Sequence, residues 1–143
     1  MRKVVGFKIG IRVKEVQRRA KRARFDLLSA GIGEPELQPI VEQAQKAITP
    51  AVLFETFPHP DAEQALLAPM PGLAYSLVLA SLGARFEPAK NEAARENATT
   101  GTIWGLVQDA ALDEAVRFAT NILLDDATKD ACELSPLNAL ASA

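Results

Sequence analysis

The side chains in this sequence that could do chemistry are few and scattered. His59 is the single histidine and Cys132 the single cysteine. A zinc site needs three or four ligands from His, Cys or carboxylates, and these two are far apart in the chain. Pro58-His59-Pro60 reads as a surface loop. Cys132 has no CxxC partner and reads as a passive thiol. Any Ser-His-Asp triad would need His59 as its base, and no nucleophile-elbow motif accompanies it. Gly31-Ile32-Gly33 follows a helical stretch rather than a strand and lacks a third glycine, so it reads as an interhelical turn and not a phosphate loop. Asp113-Glu114 and Asp125-Asp126 are paired acids. Adjacent residues on a helix point to different faces, so these pairs read as solvated rather than as an acid–base couple. Asp109 lies between Val107 and Ala110-Ala111, which suggests partial burial. A buried carboxylate needs a partner: a neighbouring backbone cap or a cationic ligand. No catalytic or metal-binding set emerges.

The charge distribution is more informative. Net charge is −2, yet the first 24 residues hold ten of the sixteen Lys and Arg and only one acid, Glu15. A basic head precedes an acidic body. Arg18, Arg19, Lys21 and Arg22 are the candidate partner-binding residues. Nucleic acid is an unfavoured partner. The head has only Phe7 and Phe25 for base stacking, and a nucleic-acid-binding domain is usually basic as a whole. The simplest alternative is that the head docks on the acidic body, in the same chain or in a dimer partner.

These residues must be positioned by a modest scaffold. A chain of 143 residues fits one domain. The 48% apolar and 24% charged shares are ordinary for a globular protein. One cysteine makes no internal disulfide, so a reducing compartment, the cytoplasm, is expected. No run approaches the ~20 apolar residues of a membrane span, and the N-terminus lacks the apolar core of a secretory signal.

Alternation of Phe7, Ile9, Ile11 and Val13 with polar residues predicts a strand over Val4–Val13, with Gly6 and Gly10 marking an edge or bulge. Val16, Ala20, Ala23 and Leu27 share a helical face over residues 14–24. A second helix is expected from Pro35 to Ile48, and Thr49-Pro50 closes it. Ala51–Phe57 reads as a strand, and Asp61 could cap a short helix through Ala68. Pro69-Met70-Pro71-Gly72 is a turn. The apolar run Tyr75–Leu82 fits a buried strand or a buried helix, and its flanking Pro and Gly favour strand. A polar helix over Pro88–Asn97 is expected to break at Ala98-Thr99-Thr100-Gly101, before a long helix over Thr102–Leu124. The expected fold is α+β: a small sheet of three or four strands packed against helices, with a long C-terminal helix. One domain is expected over residues 1–128, with a frayed or disordered tail over 129–143.

The order of these segments resembles a known pattern. Glu15-Val16-Gln17-Arg18-Arg19 is followed by a loop, by Pro35-Glu36-Leu37, and by a helix running into Thr49-Pro50-Ala51-Val52-Leu53-Phe54-Glu55. Leu77-Val78-Leu79-Ala80-Ser81-Leu82-Gly83 comes next. Phe86-Glu87, Asn91-Glu92 and Gly105-Leu106-Val107-Gln108-Asp109-Ala110 follow in turn. Over residues 9 to 124 this is similar to the free-standing relatives of the activation domain of vitamin B12-dependent methionine synthase. The resemblance implies an accessory or partner-binding role in corrinoid or methyl-group metabolism. It also implies S-adenosylmethionine as a weakly held ligand, and a corrinoid protein, a methyltransferase or a second copy as partner. Asp109 is the one site residue it carries over. The family's Arg and Pro-Gly-Tyr segment, which supplies much of the ligand site, has no counterpart in these residues. Arg117 stands where the family has an acid. The alternative function is a non-catalytic structural or regulatory protein whose basic N-terminal segment docks an acidic partner.

Overall fold

A computed structural model describes residues 1–58 and 74–129 and the single positions 134 and 137. His59, the helix expected after Asp61, the turn at 69–72 and Cys132 lie outside the described residues, as does most of the expected tail. The elements in chain order are β1 (Arg2–Val5), α1 (Val13–Arg22), α2 (Glu34–Lys46), β2 (Ala51–Pro58), β3 (Ala74–Ser81), α3 (Phe86–Glu96) and α4 (Ala98–Lys129). The fold is α+β with a three-stranded antiparallel sheet in the order β1-β2-β3. The run at 75–82 is therefore a strand.

Val52 and Phe54 of β2 point to one face of the sheet and are buried there. Val4, Val78 and Ala80 pack on the same core. Helix α4 lies against β2 and β3, and it also packs on α1, α2 and α3. Its buried stripe runs through Ile103, Val107, Ala111, Ala115 and Ala119. The small side chains in this stripe let the neighbouring elements approach closely. Phe7 stacks on Phe118 with ring centroids 4.2 Å apart.

Two boundaries differ from the sequence reading. The strand expected over Val4–Val13 ends at Val5, and the chain turns at Gly6 (φ 74°). Ile9 and Ile11 are buried as their alternation implied, but among the described residues no strand pairs with them. Instead the Gln45 side chain of α2 serves this stretch. Its amide N–H donates to the Ile9 carbonyl at 2.8 Å, and its Oε1 accepts from the Ile11 N–H at 3.4 Å. The second difference lies at Ala98–Gly101, expected to break the helix and found inside α4. The break is one residue earlier. Asn97 is extended, and its Oδ1 accepts the N–H groups of Thr99 and Thr100 at 2.9 and 3.2 Å. That is an N-cap, which satisfies donors at the start of the helix.

Two glycines are fixed by their surroundings. At Gly83 (φ 91°) a Cβ would lie 2.8 Å from the Thr49 carbonyl oxygen, where β3 leaves the sheet beside the start of β2. At Gly101 a Cβ would lie 2.5 Å from that of Ala94. The second contact sets how tightly α3 and α4 pack.

Candidate functional site

Helix α1 buries Val16 and Ala20 and turns its charged residues outward. The basic residues of the head divide into two groups. Arg19 faces α4: its Nε donates to Glu15 Oε1 at 2.9 Å and its Nη2 to Asp113 Oδ2 at 2.7 Å. Arg2 lies over the Phe54 ring at 4.6 Å and pairs with Asp126 near the far end of α4. Part of the basic head therefore docks on the acidic body of its own chain. Arg18 forks onto Glu15 through Nε and Nη2 at 3.0 and 2.6 Å. The hydrogen bond from Arg18, joined by that from Arg19, holds the Glu15 carboxyl down at about 2 against an ordinary 4.5.

The second group has no such partners. Lys14, Lys21 and Arg22 are exposed and form no ion pair among the described residues, in contrast to Arg18 and Arg19. Helical spacing puts them with Arg18 on one face about 100° wide. Lys8, Arg12 and Arg24 are also exposed.

Arg24 also shows how the helix ends. Its N–H donates to the Lys21 carbonyl at 3.1 Å, and the Phe25 N–H donates to the Ala20 carbonyl at 2.8 Å. These two bonds make a Schellman C-terminus, whose left-handed residue is normally glycine. Here that residue is an arginine at φ 59°. A side chain in this region costs roughly 1–2 kcal/mol. In return, the cation sits beside the negative end of the helix dipole.

A different surface forms between α3 and α4. An open groove of about 620 Å³ is lined by Lys90, Ala94, Gly101, Gly105, Gln108 and Asp109 among others. Lys90 Nζ donates to Gln108 Oε1 at 2.8 Å and lies 3.7 Å from Glu87. Asp109 is exposed on this groove rather than partly buried. Its sequence neighbours Ala110 and Ala111 are buried, but one step along a helix turns a side chain by about 100°, which carries Asp109 out of the core.

The remaining candidates are engaged locally. Asp113 accepts from Arg19, Glu114 pairs with Arg117 at 3.1 Å, and Asp126 pairs with Arg2. Gly31 closes a turn on Leu28, and Gly33 gives its N–H to Glu36 Oε2 at 2.9 Å. A carboxylate of the chain itself therefore occupies the place an anion would take at the start of α2. Among the described residues no three His, Cys, Asp or Glu side chains gather as a metal site. No described helix is long and apolar enough to cross a membrane.

Sequence reasoning did not find Gln45 or Arg24, nor the sheet face opposite the core. On that face stand Val5, Leu53, Phe57, Tyr75, Leu77 and Leu79, with Val5 and Leu79 well exposed. The uninterrupted apolar run of β3 was its one visible signal. No protein-family model, curated protein or solved structure matches the chain.

Proposed function

We propose that the chain is an accessory, non-catalytic module that binds an acidic segment of another protein through the exposed basic face of α1. The observation that carries this reading is the division among its arginines and lysines. Arg2 and Arg19 are held by acids of α4, whereas Lys14, Lys21 and Arg22 share a solvent-facing stripe and form no ion pair among the described residues. Arg24, kept in a left-handed backbone where glycine would be unstrained, adds a further cation at the same helix end. Protein is favoured over nucleic acid because the aromatic rings of the head are engaged inward. Phe7 stacks on Phe118, and Phe25 packs on the core. Among the described residues no stacking platform accompanies the cations. The lone cysteine fits work in the cytoplasm.

The test is titration with a polyglutamate peptide at low and high salt. Binding at low salt that fades at high salt is expected. The triple change Lys14→Glu, Lys21→Glu and Arg22→Glu should weaken it roughly tenfold or more. Unchanged binding by that variant would discard the reading. Tighter binding to duplex DNA than to the peptide would replace it with a nucleic-acid role.

The α3–α4 groove favours a second reading, in which the module holds S-adenosylmethionine and serves a corrinoid protein or methyltransferase. Lys90 and Asp109 offer the opposite charges that a zwitterionic amino-acid end calls for. Calorimetric titration should then give a dissociation constant below about 100 µM, roughly −5.5 kcal/mol, with Asp109→Ala weakening it. No heat at millimolar ligand would remove this reading and leave the first untouched.

A further inference from the structure

The two edges of the sheet are built differently. β1 is four residues long and carries Arg2 and Lys3. A short, charged edge strand resists pairing with another chain. β3 runs for eight residues, Ala74-Tyr75-Ser76-Leu77-Val78-Leu79-Ala80-Ser81, with no charge and no proline. Among the described residues it pairs with β2 alone, so its other side presents a row of unpaired backbone N–H and C=O groups. An edge of this kind is a template for strand addition.

We infer that two copies of this chain join through the free edge of β3, antiparallel about a two-fold axis, to make one continuous sheet. Close to Val78 the strand reads alike in both directions, with leucine at 77 and 79 and small residues at 76 and 80. In an antiparallel pairing centred there, Leu77 falls opposite Leu79 of the second copy and Ser76 opposite its Ala80. Both leucines belong to the outer face, as their register with Glu55 and Leu53 fixes. The same pairing therefore keeps every side chain on its own side of the sheet. Two-fold symmetry sets one surface against itself, so any charge on β3 would approach its own copy. The strand has none.

Area argues for the edge over the outer face as the joining surface. Two strands about 27 Å long and one about half that length, each about 4.8 Å wide, expose roughly 330 Å². A stable face-to-face dimer buries about 800 Å² on each partner. Edge pairing adds directional backbone hydrogen bonds to the leucine contacts. This inference uses a different surface from the basic face of α1 and stands independently of it.

Sedimentation equilibrium of the full chain across the micromolar range is the experiment, read together with amide hydrogen exchange. A monomer–dimer equilibrium is expected, with β3 amides slowing as concentration rises. Leu77→Lys with Leu79→Lys should give a monomer at every concentration, because each introduced lysine faces another across the axis. Leu77→Lys with Leu79→Glu should restore the dimer by pairing opposite charges in the same register. Circular dichroism checks that each variant is folded. A wild-type chain monomeric throughout would overturn the inference. So would a dimer that survives the two lysines, or one that forms without protecting the β3 amides.

Discussion

The two faces of the sheet carry similar side chains in different surroundings. Val52 and Phe54 on one face are 1% and 2% exposed beneath the helices, while Leu79 on the other is 66% exposed. The sequence does not tell the two faces apart, since an apolar run shows nothing of what lies above each face. The inner face does the work of folding: burial of one Val or Phe side chain stabilises by about 1.5–3 kcal/mol. The outer face is not required by the monomer's core, and its apolar character asks for another explanation.

The largest expected effect breaks this comparison directly. Phe54→Ala should destabilise by about 3–5 kcal/mol through lost burial and the cavity left behind. It also removes the ring beneath Arg2. Leu79→Ala should change monomer stability by about 0.5 kcal/mol or less. Urea unfolding of dilute protein measures both. If the two substitutions cost the same, the outer face is covered in solution by something that belongs to the fold.

The α3–α4 contact offers the next largest effect. Gly101→Ala places a methyl group against Ala94 and should cost about 1–3 kcal/mol. Adding Ala94→Gly should recover part of that loss, less about 1 kcal/mol for a glycine within α3. A neutral Gly101→Ala would mean that the two helices part easily, and the groove between them would then be soft.

Arg24→Gly should act in the opposite direction. Relief of the left-handed strain outweighs the extra freedom of glycine in the unfolded chain, so stability should rise by about 0.5–1 kcal/mol. Binding of an acidic peptide should weaken in the same variant. A gain in stability with no loss of binding would make Arg24 a tolerated defect rather than a contributor to the basic face.

These contrasts also show what was legible in the sequence. The helices over 13–22 and 34–46 follow from local periodicity, and the strands over 51–58 and 74–81 from short apolar runs with proline and glycine at their borders. The segment around Ile9 did not, because its backbone partner is the side chain of Gln45, distant in sequence and invisible to a period count. The start of α4 was hidden because Thr-Thr-Gly resembles a breaker, whereas the cap at Asn97 decides the boundary. The basic head was plain from composition. Which of its members turn inward depended on α4 presenting Asp113 and Asp126 in the right places.

The smallest effect concerns the inward half of the head, and its sign follows from Glu15. Arg18 and then Arg19 hold this carboxyl at about 2 in the folded chain, against an ordinary value of 4.5. A depressed carboxylate contributes stability that is complete above its unfolded value and fades as pH falls through the folded one. The window is therefore pH 4.5 down to about 2. Because the Glu15 side chain is 30% exposed, water screens much of the interaction. The loss across the window should be about 1 kcal/mol or less. Glu15→Gln should lower stability by that amount near pH 6 and converge with wild type near pH 2, as read from urea midpoints at each pH. Curves that stay parallel through the window would mean that Glu15 serves its arginines no better folded than unfolded. Arg19 would then be held in place by Asp113 alone.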